Sequence, residues 1–211
     1  REGFHGYYFA YTQSIRSDEA QLTSKAVGAS ELFPIESFTV SGENVVVKVH
    51  WRDMWNGVWK SNLAIQNIPN IEFEDQQLKN RLIGEAKFLR AFYYTHLILL
   101  FGEEIPLIVS PPANSSEYFP GNAEKGEIYS QIIEDLKDAE KLLLNKEDLD
   151  SKDLGRATKG AAAAYLGKVY LFQEEWEKAS VVFKKIIENN YGEYSLNNNY
   201  RNNHTSFSEN N

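Results

Sequence analysis

No cysteine occurs among the 211 residues, which excludes disulfides, thiolate-bound zinc and thiol nucleophiles. Basic charge is also scarce: 22 Lys and Arg face 30 Asp and Glu, a formal net charge of −8. Such a chain is not built to hold a nucleic-acid backbone or to dock on anionic lipid as its main activity. The phosphate-cradling patterns G-x-G-x-x-G and G-x-x-x-x-G-K-[ST] are missing, as is the G-x-S-x-G nucleophile elbow. The four histidines, His5, His50, His96 and His204, form no H-E-x-x-H pair, so neither a metal nor a cofactor is expected. The longest strongly apolar stretch, from Gly84 to Leu107, is broken by Glu85, Lys87, Arg90 and His96, whereas a membrane span needs roughly 20 mostly apolar residues. The chain begins at Arg1, has no apolar leader and ends in SFSENN, which reads as a mature or trimmed sequence.

What is present is a helical pattern rich in aromatics. Hydrophobic residues make up 42% and aromatic residues 13%, enough for a sizeable core. The stretch from Gly84 organises the rest. Ala86, Leu89, Phe92/Tyr93, His96/Leu97 and Leu100 recur at helical steps, and further aromatic and aliphatic residues make the predicted helix apolar almost all round, as in a helix buried among others. Gly102 is placed to end it and Pro106 to prevent its resumption. Upstream, residues 3–27 read as a helix with Phe4, Tyr7/Tyr8, Tyr11 and Ile15 as its stripe. Residues 28–50 lose the helical period, and Val45-Val46-Val47-Lys48-Val49 fits either a small β-hairpin or a long ordered loop. Trp51 to Ile68 is helical, with Trp55 and Trp59 read as core. Downstream, 110–126 is a Pro, Ser, Asn and Gly-rich loop displaying Tyr118 and Phe119. Glu127 to Leu144 is amphipathic, with Ile128, Ile132, Leu136 and Ala139 inward and Asp135 among the residues facing water. Asn145 to Gly155 reads as a charged linker.

Residues 158–190 form a helical hairpin of recognisable spacing. With Gly167 at the glycine position of the tetratricopeptide pattern, Leu166, Tyr170, Ala179 and Phe183 fall where that pattern places Leu, Tyr, Ala and Phe. Small residues at 167 and 179 let two antiparallel helices approach, and the two rings fill the space beside them. The later Ala and Pro positions hold Ile186 and Tyr191, so the repeat is degenerate. Residues 84–144 fit the same template more weakly, with Ala91, Tyr94, Ala139 and Leu143 at the matching positions and an insertion at 103–126. The expected fold is all-α, an α-α superhelix of tetratricopeptide-like hairpins with long decorated loops.

Carboxylates are plentiful, and glycoside hydrolysis needs only two at a set separation. Glu103, Glu104, Glu117 and Asp18, however, sit in loop or cap contexts that read as solvated charge. Recognition by aromatics remains: a ring stacks on the apolar face of a sugar while Asn, Asp or Arg bonds its hydroxyls. The candidates in the 28–51 region are Phe33, Phe38, Asn44 and Trp51, and those in the 110–126 loop are Tyr118 and Phe119.

Three motifs, in order, resemble the SusD-like (SusD/RagB) nutrient-binding outer-membrane lipoproteins. EAKFLRAFYYTHLILLFGEEIPLI, residues 85–108, is similar to the family's Leu-Arg-Ala-aromatic helix followed by Phe-Gly and Pro-Leu. GRATKGAAAAYLGKVYLFQEEWEKA, residues 155–179, is similar to its Arg-x-Thr-Lys helix. WRDMWNGVWKSNLAIQNI, residues 51–68, resembles a Trp-x-x-x-Tyr-x-x-Ile-x-x-Ala-Asn pattern, with Trp55 and Ser61 as departures. The SIRSDEA stretch, residues 14–20, resembles an early Ser-Asp-Glu segment. The resemblance implies an N-terminal, repeat-bearing portion of a longer fold. It implies a non-enzymatic protein at the cell surface that captures an oligosaccharide or polysaccharide and passes it to a SusC-like, TonB-dependent transporter. Membrane contact would be through a lipid anchor absent from this chain, and nucleic acid is not expected as a partner. Arg90, Gly102, Pro106, Arg156 and Lys159 match signature positions and read as structural. Asp18, Asn44 and Trp51 join the candidates by region. A scaffold that only docks on the transporter, with the glycan site elsewhere, is the alternative; a hydrolase is the weakest reading.

Overall fold

The computed structural model describes residues 7–23, 29–196 and 198–201. Seven α-helices run along them: α1 (Tyr7–Ser14), α2 (Ala29–Glu36), α3 (Val45–Asn67), α4 (Gln76–Phe101), α5 (Glu127–Leu142), α6 (Lys159–Phe172) and α7 (Trp176–Ile187). No strand is present among the described residues. The chain divides into two compact units, residues 1–59 and 60–211.

In the first unit, Ile15, Leu32, Ile35 and Val46 form the core, with Leu22 and Val49 packed against it. The expected hairpin at 45–49 is instead the first turn of α3. Asn44 explains why: its side-chain oxygen accepts from the Val46 N–H (2.9 Å), and its carbonyl takes the Lys48 N–H (3.0 Å). This is N-capping. At a four-residue step Val46, His50, Met54 and Val58 are all buried, while Lys48 and Arg52, which a strand would put on the same face, are exposed; a helix satisfies that pattern and a strand does not. Burial along that step overrides the β preference of a valine run. The helix expected over 3–27 is also shorter, because the Ser17 N–H turns back to the Ser14 carbonyl (3.2 Å) just after α1. Residues 3–6 and 24–27 of that expectation, and the side chains of Tyr7, Tyr8 and Tyr11, lie outside the described residues. Trp59 is 41% exposed and Trp55 half-buried, so the reading of both as core does not hold.

In the second unit, α4 packs on α5, α5 on α6 and α6 on α7. Each helix lies against the next in the chain, as in a helical repeat. Asp75 caps α4 by accepting the Leu78 N–H (2.9 Å). Gly102 ends it at φ 81°, its N–H on the Ile98 carbonyl (2.9 Å); glycine takes that left-handed φ without a Cβ penalty. At Gly167 a Cβ would stand 2.6 Å from the Phe183 ring, so α6 and α7 meet through a bare backbone. A Cβ at Gly84 would stand 2.9 Å from the Leu142 Cβ, a close approach of α4 to α5 that the repeat template did not place. Ala139, Leu143 and Ala162 carry the core on to α6.

Two expectations in this unit are corrected. The α4 surface is not uniformly sunk, since Leu89 and Leu99 are exposed while Arg90 is buried. The charged linker at 145–155 is ordered by two 3₁₀ turns, Lys146–Asp148 and Ser151–Asp153. There Asp153 is buried and takes hydrogen bonds from Arg81 (2.9 Å) and Arg156 (2.9 Å), while Arg156 also reaches Glu85 (2.8 Å). The Arg81 hydrogen bond, followed by that from Arg156, holds the Asp153 carboxyl below the ordinary carboxylate range.

Candidate functional site

Asp135 was expected to face water, yet its side chain is 0% exposed. Its spacing from Ile128, Ile132 and Ala139 puts it on the stripe that α5 turns to the core. A buried carboxylate needs a partner, and α4 supplies one. Arg90, 4% exposed, donates from Nε to Asp135 Oδ2 and from Nη2 to Asp135 Oδ1, both at 2.7 Å. Paired, parallel bonds of this kind are the strongest the side chains offer. Burial pushes the Asp135 carboxyl up from its ordinary value, and the Arg90 guanidinium, then Lys87, pull it down. Arg90 Nη1 remains, and it donates to Asn62 Oδ1 (2.9 Å) and the Val109 carbonyl (2.8 Å).

Those last bonds carry the ion pair to the 103–126 insertion. Ile108 is clamped on both backbone groups: its N–H donates to the Tyr94 hydroxyl (2.7 Å), and its carbonyl accepts from Tyr94 (3.0 Å) and from Asn62 Nδ2 (2.9 Å). Burial pushes the Tyr94 phenol up to about 12. The neck of the loop is closed by the Ala123 N–H on the Ile105 carbonyl (2.9 Å) and by the Gly126 N–H on Glu103 (3.0 Å). At the tip, Asn114 caps a 3₁₀ turn, Ser115–Tyr118, by accepting the Ser116 N–H (3.1 Å), and Glu117 accepts from the Ala113 N–H (2.9 Å). Glu103 and Glu117, read as solvated charge, are fasteners of this loop. The turn ends on Tyr118, 63% exposed, and Phe119, 91% exposed. Backbone groups fixed at neck, limb and tip thus hold two rings out in solvent.

The other candidates lie in the first unit. Asn44 is occupied as the α3 cap, and its amide also donates to the Glu31 carbonyl (2.8 Å), so it is a structural residue rather than an open hydroxyl reader. Phe33 and Trp51 are partly exposed, and the Trp51 ring meets Trp55 edge-on at 5.5 Å. Asp18 is exposed and lines an open concavity with Arg16, Glu36 and Phe38. Phe38 ends α2 at φ 56°. Its N–H bonds the Ile35 carbonyl (3.2 Å) and the Thr39 N–H bonds that of Pro34 (2.8 Å), a helix ending that normally uses glycine. A 72% exposed phenylalanine holds that position. The structure therefore brings Asp18 and Phe38 to one concavity and Tyr118 and Phe119 to one loop tip. The residue that sequence reading missed is Asp135, whose signal was an acid on an apolar stripe. Asn62 and Arg90 stood at motif positions without their roles being visible.

Among the described residues no helix is long and apolar enough to cross a membrane, and no group of three His, Asp or Glu could hold a metal ion.

Among the described residues, helices whose hairpins stack in chain order, with a pinned loop between two of them, define a tetratricopeptide-like scaffold. The model of a SusD-like family described as starch-binding and associating with the outer membrane matches residues 5–171. The chain is 31% identical over 191 residues to SusD-like protein P2 of Formosa agariphila, a match covering 89% of this chain and 36% of that protein. A SusD superfamily protein from Bacteroides vulgatus superposes with a TM-score of 0.86 at 27% identity, over 99% of this chain and 43% of that one. A laminarin-binding SusD-like protein shares the fold at 24% identity and a TM-score of 0.73, over 92% of this chain and 45% of that one. The chain belongs to the SusD-like family, and it spans 36% of the length of the curated relative and 43% of that of the Bacteroides vulgatus structure.

Proposed function

We propose that this chain is the repeat-bearing part of a non-enzymatic, surface-exposed outer-membrane lipoprotein. It captures an oligosaccharide or polysaccharide and delivers it to a SusC-like, TonB-dependent transporter. The hairpins at 84–144 and 158–190 are its tetratricopeptide-like part. The observation that carries the glycan reading is the loop tip, where the adjacent Tyr118 and Phe119 are both exposed beside a capped turn and so are accessible for a sugar ring to stack on. The family's description as starch-binding and outer-membrane-associated supports the same reading. Asp18, Phe33 and Trp51 are secondary ligand candidates in the first unit, where the exposed Phe38 ring adds a stacking surface beside Asp18.

A second reading, a scaffold that only docks on the transporter, is favoured by the α6–α7 end. Phe172, Trp176, Val181 and Ile187 are exposed there, and repeat scaffolds present such surfaces to partner chains. The test is a glycan-array screen of the chain that includes soluble starch, followed by calorimetry on any hit. Saturable binding weakened by Phe119→Ala is the expected result. No binding to any glycan by a folded sample would leave the docking reading.

A further inference from the structure

We infer that Tyr94, Asn62 and Arg90 are positioning residues that keep the 105–123 loop in its binding-ready conformation, so that Tyr118 and Phe119 are presented without an ordering step. This rests on the glycan reading of the loop tip.

Residues 102–114 belong to no helix or strand, so their backbone polar groups must find partners elsewhere. At Ile108 and Val109 those partners are side chains of α3 and α4. Tyr94 answers both the N–H and the carbonyl of Ile108, Asn62 shares that carbonyl, and Arg90 takes the carbonyl of Val109. A phenol that both donates to and accepts from one residue fixes that residue's orientation as well as its place. Tyr94, Asn62 and Arg90 are all buried, and hydrogen bonds away from water are costly to leave unmade. Asp135 satisfies the Arg90 charge and Asn62 takes one of its further bonds; the bond from Arg90 to Val109, and those of the Tyr94 hydroxyl and the Asn62 amide to Ile108, go to the loop. Ordering a flexible loop at the moment of binding weakens affinity, and holding it in advance removes that loss.

The test is amide hydrogen exchange on the 211-residue chain and on Tyr94→Phe, which keeps the ring and removes only the hydroxyl. We expect amides of 105–119 to exchange at least tenfold faster, with α5, α6 and α7 unchanged and helicity preserved, and the Kd for soluble starch to rise about tenfold. Asn62→Ser, which removes the amide from Ile108, is the second variant should Tyr94→Phe fail to fold, and it should loosen the same segment. Unchanged exchange over 105–119 in the folded variants overturns the positioning role, whether or not starch binds. Faster exchange with an unchanged Kd overturns the claim that order in the loop serves binding. Faster exchange in a chain whose parent binds no starch supports the positioning role and counts against the glycan reading instead.

Discussion

The α6–α7 hairpin closes on apolar contact, with the Phe183 ring against the bare backbone of Gly167, whereas α4–α5, which also packs Leu142 against the bare backbone of Gly84, adds a buried ion pair, Arg90 with Asp135. Both hairpins occupy the same kind of place in the repeat. The first has a three-residue connection, 173–175. The second carries a 25-residue insertion between its helices, 102–126. Apolar packing is non-directional and could not hold an extended limb in register, whereas a guanidinium has donors left over after pairing with a carboxylate. The polar hairpin is thus one that can also grip a loop. Buried ion pairs add little net stability over apolar replacements, so the second function explains the device better than stability does.

The most disruptive way to break the contrast is Asp135→Ala. Arg90 would be left buried and unpaired, at a cost of about 3–5 kcal/mol, measured by urea unfolding. The sharper form is the double replacement Arg90→Met with Asp135→Leu. It should restore most of that stability while leaving the Val109 carbonyl without its donor, so that exchange at 105–119 stays fast although the helices are firm. If the double variant recovers loop protection as well, the ion pair serves α4–α5 alone.

Gly167→Ala comes next. Its Cβ would stand 2.6 Å from the Phe183 ring, and parting α6 from α7 should cost about 1–3 kcal/mol. Phe183→Leu in the same chain should recover part of the loss, and exchange in the 105–119 loop should not move in either variant. A loop that loosens with Gly167→Ala would show that the two hairpins are not independent in this respect.

The smallest effect concerns the 145–155 connection. Arg81 and Arg156 hold the Asp153 carboxyl low. Its contribution to stability is therefore present above the ordinary carboxylate pKa of about 3.9 and is lost as pH falls through the depressed folded value. Unfolding of the chain and of Asp153→Asn, compared between pH 6 and the acid limit of folding, should show a gap that closes as pH falls. A gap constant with pH would mean that the charge of Asp153 is not what matters.

Much of this scaffold was legible because steric rules are local. Gly102 as a helix end and the Gly167–Phe183 spacing each follow from a local pattern, and each stands where the sequence placed it. The valine run at 45–49 reads as a strand on β-branching alone, whereas the charged Lys48 and Arg52 between Val46, His50 and Met54 would share their face in a strand and leave it in a helix. Asp135 misled because a charge inside an amphipathic pattern reads as surface unless its partner is known, and Arg90 lies 45 residues away. The exposed aromatics at the loop tip were visible as a composition feature. The pair of hydrogen bonds between the Tyr94 hydroxyl and Ile108 that holds the limb leading to them involves backbone atoms 14 residues distant and leaves no trace in residue type.

We propose that the Tyr118–Phe119 tip binds glycan. Titration calorimetry of soluble starch, or of the best array hit, into the chain and into a Tyr118→Ala, Phe119→Ala double variant tests it most directly. Both side chains are exposed, so the variant should keep its helicity and its unfolding midpoint, with stability changing by no more than about 0.5 kcal/mol. The account predicts saturable binding by the chain and at least a tenfold weaker Kd for the variant. Binding of equal strength by both, or none by the folded parent, would contradict it.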